Sequence, residues 1–341
     1  MTTQFAQIAA ISSHLPEKVL ANAELAELYP GWSAEKIFEK TGIRERRVAA
    51  QGETAADLAV RAANRLFERG TATRESIDFV IFCSQAPDYF LPSSACLIQQ
   101  RLGLRTSCGA LDMNLGCSGF VYGLSLAKGL LETGAAQRVL LLTADTYSRF
   151  IHPLDKSVRT LFGDGAAATL IELRDLESAA IGPFVFGTDG SGAENLIVRT
   201  GGLREARTAT SAQESTDASG NVRSGDHLYM DGPAIMTFTL STVPKAAEQL
   251  FTVSGNSLET TDYVVLHQAN RYMLEALRRK MRVPESKFVI CLEHCGNTVS
   301  STIPIALERL LAEAGPEAPR RRAMLIGFGV GYSWAGTFVT V

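Results

Sequence analysis

From Gly109-Ala-Leu-Asp-Met113 the chain passes through Asn114 and Leu115 into Gly116-Cys-Ser-Gly-Phe120, so a strand-like run meets small residues that open a helix. Small neighbours around Cys117 suit a sharp turn that exposes a side chain, as in a nucleophile elbow. A thiol at a helix N-terminus faces the positive end of the dipole, which lowers its pKa. Because a single cysteine is more often a buried structural residue, the turn makes Cys117 a candidate nucleophile and leaves both interpretations open.

Around this stretch the chain repeats itself loosely. Val80 to Leu140 and Val264 to Met324 are both intervals of 60 residues. The apolar, strand-like runs are Phe79–Cys83, Val139–Thr143, Phe162–Leu170, Tyr263–Leu266, Lys287–Ile290, Ala323–Ile326 and Gly327–Val339. Near-continuous apolar strands alternating with helical patterns indicate sheets that are covered on both faces. We therefore predict an α/β fold of two pseudo-twofold-related halves, residues 1–175 and 176–341, whose strand ends meet at a crevice.

Two polar residues of the second half fall at that predicted crevice. His267 directly follows the strand that ends at Leu266, and Asn297 takes the place that Cys117 takes in the first half. A solitary histidine is usually a surface or satisfied core residue, and an asparagine after glycine is commonly a turn residue. The pseudo-symmetry would aim Asn297 at Cys117 across the crevice, so both residues are candidates for a site.

Three other segments carry weaker signals. Gly327-Phe-Gly-Val-Gly331 looks like a dinucleotide fingerprint, but no βαβ unit can follow it. We interpret it as a close backbone approach in which amides of residues 329–331 bind an oxyanion. Cys291, His294 and Cys295 offer soft ligands without a distant second pair, so we expect buried cysteines and no metal. Residues 201–226 predict a mobile loop, either plain solvent loop or lid.

The bulk composition excludes several classes of protein. The net charge is −3, so no basic balance favours nucleic acid or an anionic membrane. We find no run of 18 apolar residues and no signal-peptide pattern, which predicts a soluble cytoplasmic protein without a membrane span. The six cysteines are too few and scattered for a disulfide framework in 341 residues.

Seven ordered segments together resemble the β-ketoacyl-acyl-carrier-protein synthase III family of the thiolase-like superfamily. They are Thr41-Gly-Ile-Arg-Glu-Arg46, Pro92-Ser-Ser-Ala-Cys96, Gly116-Cys-Ser-Gly-Phe120, Phe162-Gly-Asp-Gly165, His267-Gln-Ala-Asn270, Gly296-Asn-Thr298 and Gly327-Phe-Gly-Val-Gly331. The resemblance covers essentially the whole chain. It implies a layered αβαβα sandwich and a condensing enzyme of fatty acid or related acyl and polyketide biosynthesis.

The resemblance also implies a mechanism. Cys117 would take an acyl group from a thioester, which splits the reaction into two steps. His267 and Asn297 would then donate hydrogen bonds to the enolate that forms when a malonyl-type thioester loses CO₂. The backbone N–H groups of Cys117 and Val330 would bind the tetrahedral oxyanions. No cofactor is implied, since coenzyme A or acyl-carrier-protein thioesters are the substrates.

This sequence departs from the family pattern at positions that bear on the substrate. Lys36 stands where a tryptophan usually stacks on the adenine of coenzyme A, and Tyr272 and Lys156 replace two arginines near the nucleotide. Leu91 replaces a bulky aromatic residue that limits the acyl pocket. Family members build that pocket partly from this segment across a twofold interface, so the resemblance predicts a homodimer.

A basic cluster follows His267. Arg271, Arg278, Arg279 and Lys280 lie in a predicted helix beside the candidate site. Carrier proteins are acidic, so we interpret the cluster as a docking surface for acyl carrier protein. The alternative is an ordinary solvated helix whose cations lie near the C-terminal end of its dipole.

Three rival functions remain open at this point. An acyltransferase of the same fold would pass the acyl group from Cys117 to a hydroxyl or amine without condensation. A non-catalytic partner subunit would usually lose the cysteine, which this chain keeps. A nicotinamide oxidoreductase would need a phosphate-binding turn, which this sequence lacks.

Overall fold

The computed structural model describes residues 3–315 and 319–341. Its strands are Thr3–His14 (β1), Val19–Ala21 (β2), Glu45–Arg47 (β3), Phe79–Cys83 (β4), Gly109–Met113 (β5), Arg138–Asp145 (β6), Gly165–Leu176 (β7), Ile181–Thr188 (β8), Leu196–Val198 (β9), Ser215–Thr216 (β10), Val222–Arg223 (β11), Leu228–Met230 (β12), Tyr263–Leu266 (β13), Arg322–Gly329 (β14) and Ser333–Thr340 (β15). Its α-helices are Asn22–Leu28 (α1), Ala34–Thr41 (α2), Ala55–Glu68 (α3), Ser94–Arg101 (α4), Gly119–Glu132 (α5), Lys156–Arg159 (α6), Gly232–Ser254 (α7), Arg271–Lys280 (α8) and Thr302–Ala314 (α9).

Two mixed sheets organise the molecule. The first has the order β1-β7-β6-β4-β5 and is built from residues 3–176, and the second has the order β13-β14-β15-β8 and is built from residues 181–340. In the first sheet β4 is parallel to both β5 and β6. In the second, β13 is parallel to β14. The boundary between residues 175 and 176 itself stays a prediction.

The predicted strand Lys287–Ile290 is wrong. A 3₁₀ turn occupies Glu285–Lys287, and Phe288 makes only an isolated bridge to Val264. The physical reason is the Gln268 side chain, which donates from Nε2 to the Val289 carbonyl at 3.2 Å and accepts from the Cys291 N–H at 2.7 Å. This side chain takes the place of a neighbouring strand, so the second sheet ends at β13.

The side chains of the strands alternate between two faces and thereby bury both sheets on both sides. Helices α5 and α9 pack between the sheets, where Phe120, Leu124 and Ile303 meet Ile81 and Leu325. Helices α3 and α4 cover the outer face of the first sheet. Helices α7 and α8 cover the outer face of the second. The layers therefore follow the order αβαβα, which confirms the predicted thiolase-like fold.

The segment 201–226 contains more structure than the predicted loop. Strands β10 and β11 pair as a short antiparallel hairpin. Arg223 of the hairpin donates to the buried carboxylate of Asp155 at 3.0 Å. His152 lies 2.9 Å from the Glu214 carboxylate, measured from Nε2. These contacts hold the hairpin against the body of the protein.

Candidate active site

Cys117, His267 and Asn297 line one cavity of about 300 Å³. The rest of its wall is largely apolar and includes Leu161, Phe162, Leu196, Ile235, Met236, Met273 and Phe328. All three polar residues are buried. The structure thus brings the three predicted catalytic residues together in a small, apolar chamber between the two halves. Such a chamber excludes most water and strengthens any electrostatic interaction inside it.

Cys117 lies just before the N-terminus of α5, whose N-cap is Ser118. The expectation of a lowered pKa is wrong. Burial raises the pKa of the Cys117 thiol well above its ordinary value, and the nearby Asp145 carboxylate raises it further. The resting nucleophile is therefore a neutral thiol, and its proton must leave when a donor thioester binds.

Gly329 makes the closest approach to the nucleophile from the second half. A Cβ atom at this position would lie 2.9 Å from Cys117 Sγ, so only glycine leaves room for the sulfur. Val330, the predicted oxyanion donor, lies beside Gly116, the residue that precedes the nucleophile; a Cβ on that glycine would meet Val330 Cγ1 at 3.0 Å. The close backbone approach predicted for residues 329–331 is therefore confirmed at Gly329, while the binding of an oxyanion by their amides stays a prediction.

His267 follows β13 directly and stands edge-on to the Phe328 ring, with 5.4 Å between ring centroids. Burial lowers the pKa of His267 to about 3, so the ring is neutral near pH 7. Its Nδ1 atom lies 2.8 Å from the Thr302 hydroxyl oxygen. The opposite ring nitrogen, Nε2, lies 3.5 Å from Asn297 Nδ2.

Asn297 is placed by backbone hydrogen bonds to the first half. Its N–H donates to the Leu161 carbonyl at 2.9 Å, and its own carbonyl accepts from the Gly163 N–H at 3.0 Å. Its side-chain oxygen accepts from the Val299 N–H at 2.9 Å. This last bond fixes the amide, so that Nδ2 is the end directed at His267. Asn297 thus presents an N–H donor to the cavity.

The motifs Thr41–Arg46 and Phe162–Gly165 each contribute a buried charged side chain that stabilises the fold near the site. Arg46 is completely buried and donates to Asn22 and to the Thr160 carbonyl, both at 2.6 Å. Asp164 accepts from the Ala49 N–H at 2.7 Å and from the Ser148 hydroxyl at 2.5 Å. Both side chains tie separate segments together beneath the cavity, and neither lines it.

Asp145 is a buried residue that was not predicted from the sequence. Its carboxylate accepts from the Gln85 N–H at 2.8 Å and from the Ser300 hydroxyl at 2.5 Å. Burial raises the pKa of Asp145 to about 7. Because Asp145 ends β6 and Ser300 follows Asn297 closely in the chain, this carboxylate joins the two halves beside the cavity. The signal available in the sequence was an acidic residue at the end of an otherwise apolar strand.

Comparison with known proteins identifies the family. The model for 3-oxoacyl-[acyl-carrier-protein (ACP)] synthase III matches residues 111–190, and the model for its C-terminal part matches residues 252–341. The β-ketoacyl-[acyl-carrier-protein] synthase III of Chlamydia caviae is 36% identical, over 96% of this chain and 95% of the relative.

The chain belongs to the 3-oxoacyl-[acyl-carrier-protein] synthase III family. A crystal structure of a 3-oxoacyl-(acyl-carrier-protein) synthase III is 63% identical, with a TM-score of 0.97 over 99% of this chain and 100% of that one. The synthase of Burkholderia xenovorans LB400 is 35% identical, with a TM-score of 0.90 over 100% of this chain and 96% of that one. The family resemblance seen in the sequence is thereby confirmed.

The predicted substrate-contacting and carrier-contacting residues lie outside the catalytic chamber. Lys36 packs over Trp32 and donates to the Gly31 carbonyl at 2.8 Å. Lys156 donates to the Ser219 carbonyl of the segment 201–226. Both lysines are thus engaged by nearby backbone, and their predicted contacts with a nucleotide stay predictions.

The basic residues of α8 differ from one another. Arg271 pairs with Glu293 at 3.1 Å, and Arg278 pairs with Glu275 at 2.9 Å. Arg279 is exposed and makes no ion pair within the part of the chain that the structure describes. Tyr272, on the same helix, lines the cavity and is 65% exposed, which places the mouth of the cavity at α8.

Leu91 lies at an exposed apolar tip rather than in the chamber. Tyr89, Phe90 and Leu91 are 62%, 81% and 83% exposed.

Among residues 3–315 and 319–341, no group of three His, Cys, Asp or Glu side chains is arranged to hold a metal ion. Within the same ranges, no helix is both long and apolar enough to cross a bilayer.

Proposed function

We propose that this protein catalyses the decarboxylative Claisen condensation of its family, with Cys117 as the acyl carrier. In the first half-reaction the Cys117 sulfur attacks the carbonyl carbon of an acyl thioester. A carbon–sulfur bond forms to Cys117, the bond to the donor sulfur breaks, and the donor thiol leaves with the proton of Cys117. Because the buried Cys117 thiol is protonated at rest, it loses its proton only when the donor thioester arrives, and the departing donor thiol takes that proton.

In the second half-reaction a malonyl-type thioester occupies the cavity. Loss of CO₂ leaves an enolate, whose oxygen accepts hydrogen bonds from Asn297 Nδ2 and from His267 Nε2. The enolate carbon then attacks the acyl group, the carbon–carbon bond forms, and the Cys117 thiolate is released. The observation that supports this step best is the pair of nitrogens 3.5 Å apart. That separation is long for a hydrogen bond between them and suits two donors that share one oxygen.

The second candidate is transfer of the acyl group from Cys117 to a hydroxyl or amine. Such transfer needs a base but has no use for two donors directed at one enolate oxygen. We therefore favour condensation. The test is to incubate the protein with a panel of acyl thioesters, follow acylation by intact-protein mass spectrometry, and then add a malonyl thioester. CO₂ release with loss of the acyl adduct supports condensation, whereas transfer to an added alcohol or amine without CO₂ contradicts it.

We also propose that acyl carrier protein delivers a substrate at α8. Since Arg271 and Arg278 already have carboxylate partners, the exposed Arg279 and Lys280 at the C-terminal end of α8 supply the freer positive charge of this helix. An acidic carrier would be attracted there at low ionic strength.

Charge reversal tests this docking surface. Arg279→Glu with Lys280→Glu is expected to raise KM for a carrier-bound substrate several-fold while leaving a small thioester mimic nearly unaffected. Arg105→Glu is a control for charge reversal away from the cavity, because Arg105 lies beside Asp78 at the opposite, N-terminal end of β4 and β5. An unchanged KM at low salt would contradict docking at α8.

A homodimer is the third part of the proposal. The adjacent exposed residues Tyr89, Phe90 and Leu91 form an apolar tip of the kind that protein interfaces bury. We expect a dimer by light scattering at micromolar concentration and a monomer for Phe90→Glu with Leu91→Glu. A monomeric wild-type protein would contradict it.

A cytoplasmic location completes the proposal, and the six free cysteines fit a reducing compartment.

A further inference from the structure

Thr302 lies behind the catalytic histidine and faces two possible acceptors. It is the first residue of α9 and is buried. Its hydroxyl oxygen lies 2.8 Å from His267 Nδ1 and 3.1 Å from the Val299 carbonyl oxygen. A hydroxyl carries one proton, so it can donate to only one of these acceptors at a time.

The direction of that proton determines which ring nitrogen of His267 carries hydrogen. If Thr302 donates to Nδ1, the neutral ring must carry its proton on Nε2. If Thr302 donates to Val299, its oxygen accepts from Nδ1–H, and Nε2 is left without a proton. Only the first arrangement lets Nε2 donate a hydrogen bond to an enolate oxygen.

The surrounding contacts favour the first arrangement. The contact with Nδ1 is the shorter of the two. Asn297 Nδ2, whose orientation is fixed by the bond from Val299 N–H to Oδ1, lies 3.5 Å from Nε2. A bare Nε2 would accept from this amide at a normal length of about 2.9–3.0 Å. The longer separation fits two N–H donors that face a common acceptor.

We propose that Thr302 is a positioning residue that holds His267 in its Nε2–H tautomer by donating to Nδ1. Val299 supplies the competing acceptor. It is a β-branched residue held at φ 54°, a strained left-handed conformation, and its carbonyl lies within reach of the hydroxyl. This inference rests on the proposed condensation, since acyl transfer alone would not need the Nε2–H form.

The experiment compares Thr302→Val, which keeps the shape and removes the hydroxyl, with Thr302→Ser, which restores it. Uniformly ¹⁵N-histidine-labelled protein reports which ring nitrogen is protonated, and His267→Gln assigns the signal among the five histidines. We expect Nε2–H in the wild type and in Thr302→Ser. For Thr302→Val we expect a mixed or reversed tautomer and CO₂ release from a malonyl thioester reduced at least tenfold, with Cys117 acylation changed much less.

Two results would overturn the proposal. One is a wild-type ring protonated on Nδ1, and the other is CO₂ release by Thr302→Val within threefold of wild type. Should Thr302→Val fail to fold, Thr302→Ala, which also lacks the hydroxyl, replaces it in both measurements with the same expected and contradicting results. Failure of the proposed function would look different, because the wild type would then release no CO₂ from any malonyl thioester while the tautomer could still be read.

Discussion

The two halves place their catalytic groups by different means. In the first half α5 begins at Gly119, directly after Cys117 and Ser118, so a helix N-terminus holds the nucleophile. In the second half α9 begins only at Thr302, and the residues between it and Asn297 form a 3₁₀ turn with the strained Val299. The nucleophile is thus held by its own helix, whereas the amide is held by a loop.

That loop depends on the first half for its shape. Ser300 donates to Asp145, and the Ser301 hydroxyl donates to the Thr143 carbonyl at 3.0 Å. The backbone of Asn297 is bonded to residues of the first half as well. Cys117 and Asn297 thus line the same cavity from the two halves, but the second half has a polar loop in place of a helix N-terminus at this point.

Removal of the Cys117 thiol should distinguish the chemical roles of the two halves most clearly. For Cys117→Ala we expect no acyl adduct and a condensation rate reduced by at least about 10³-fold, because the residues described as lining the cavity include no second thiol. The donor pair of the second half remains intact, so some uncoupled CO₂ release should persist. Intact-protein mass spectrometry and product assays measure this. Cys96→Ala, at an exposed cysteine, is the control, and an acyl group mapped to another cysteine would contradict the assignment.

Removal of a donor should affect only the step that the second half performs. For Asn297→Ala and His267→Ala we expect Cys117 to be acylated still, while decarboxylation falls by about 10²–10³-fold in each variant, the usual effect of losing one preorganised donor. The acylation step serves as the internal control. Condensation at a near wild-type rate in either variant would show that the pair does not stabilise the enolate.

The fold and the catalytic trio could largely be predicted from the sequence. Apolar strands such as Phe79–Cys83 and Tyr263–Leu266 have the predicted bounds because their pattern is continuous and buried on both faces. The strand predicted at Lys287–Ile290 failed because a side chain, Gln268, replaced a neighbouring strand. The hydrophobic periodicity of a sequence does not show where a side chain makes the hydrogen bonds that a neighbouring strand would otherwise make.

The electrostatics of the site could not be predicted from local sequence. The helix N-terminus predicted beside Cys117 suggested a lowered pKa, but the pKa is raised by burial and by Asp145, which is distant in the chain. The role of Thr302 could not be predicted from the sequence either, because it depends on the distances from its hydroxyl oxygen to His267 Nδ1 and to the Val299 carbonyl oxygen. Tertiary packing decides these properties, since burial is the largest cause of the raised pKa of the Cys117 thiol.

The contact between the halves at Gly329 should show a smaller effect. For Gly329→Ala the added Cβ would stand 2.9 Å from Cys117 Sγ and displace it. We expect acylation to slow by about 10- to 100-fold, as for a displacement of roughly 1 Å in a reacting group. Gly129→Ala in α5 has open space around it and is the matched control. Equal acylation rates in the two variants would show that the sulfur has room to move.

The link between the halves at Asp145 should appear in stability as a function of pH. The folded protein has the pKa of this carboxyl raised to about 7, against 3.8 for an ordinary aspartate. Between these values the folded state keeps a proton that the unfolded state has lost, so the free energy of unfolding falls as pH rises, by up to about 1.4 kcal/mol per pH unit.

Asp145→Asn cannot titrate. It keeps one acceptor oxygen, but its NH₂ group takes the place of a carboxylate oxygen that accepts from a backbone N–H, either that of Gln85 or that of Ser300. We therefore expect a roughly constant cost in the variant, and a wild-type-minus-variant difference in Tm that decreases from about pH 4 to about pH 7. A difference that stays constant over this range would show that Asp145 is already ionised at its lower end, and that the two halves are joined there by a charged carboxylate.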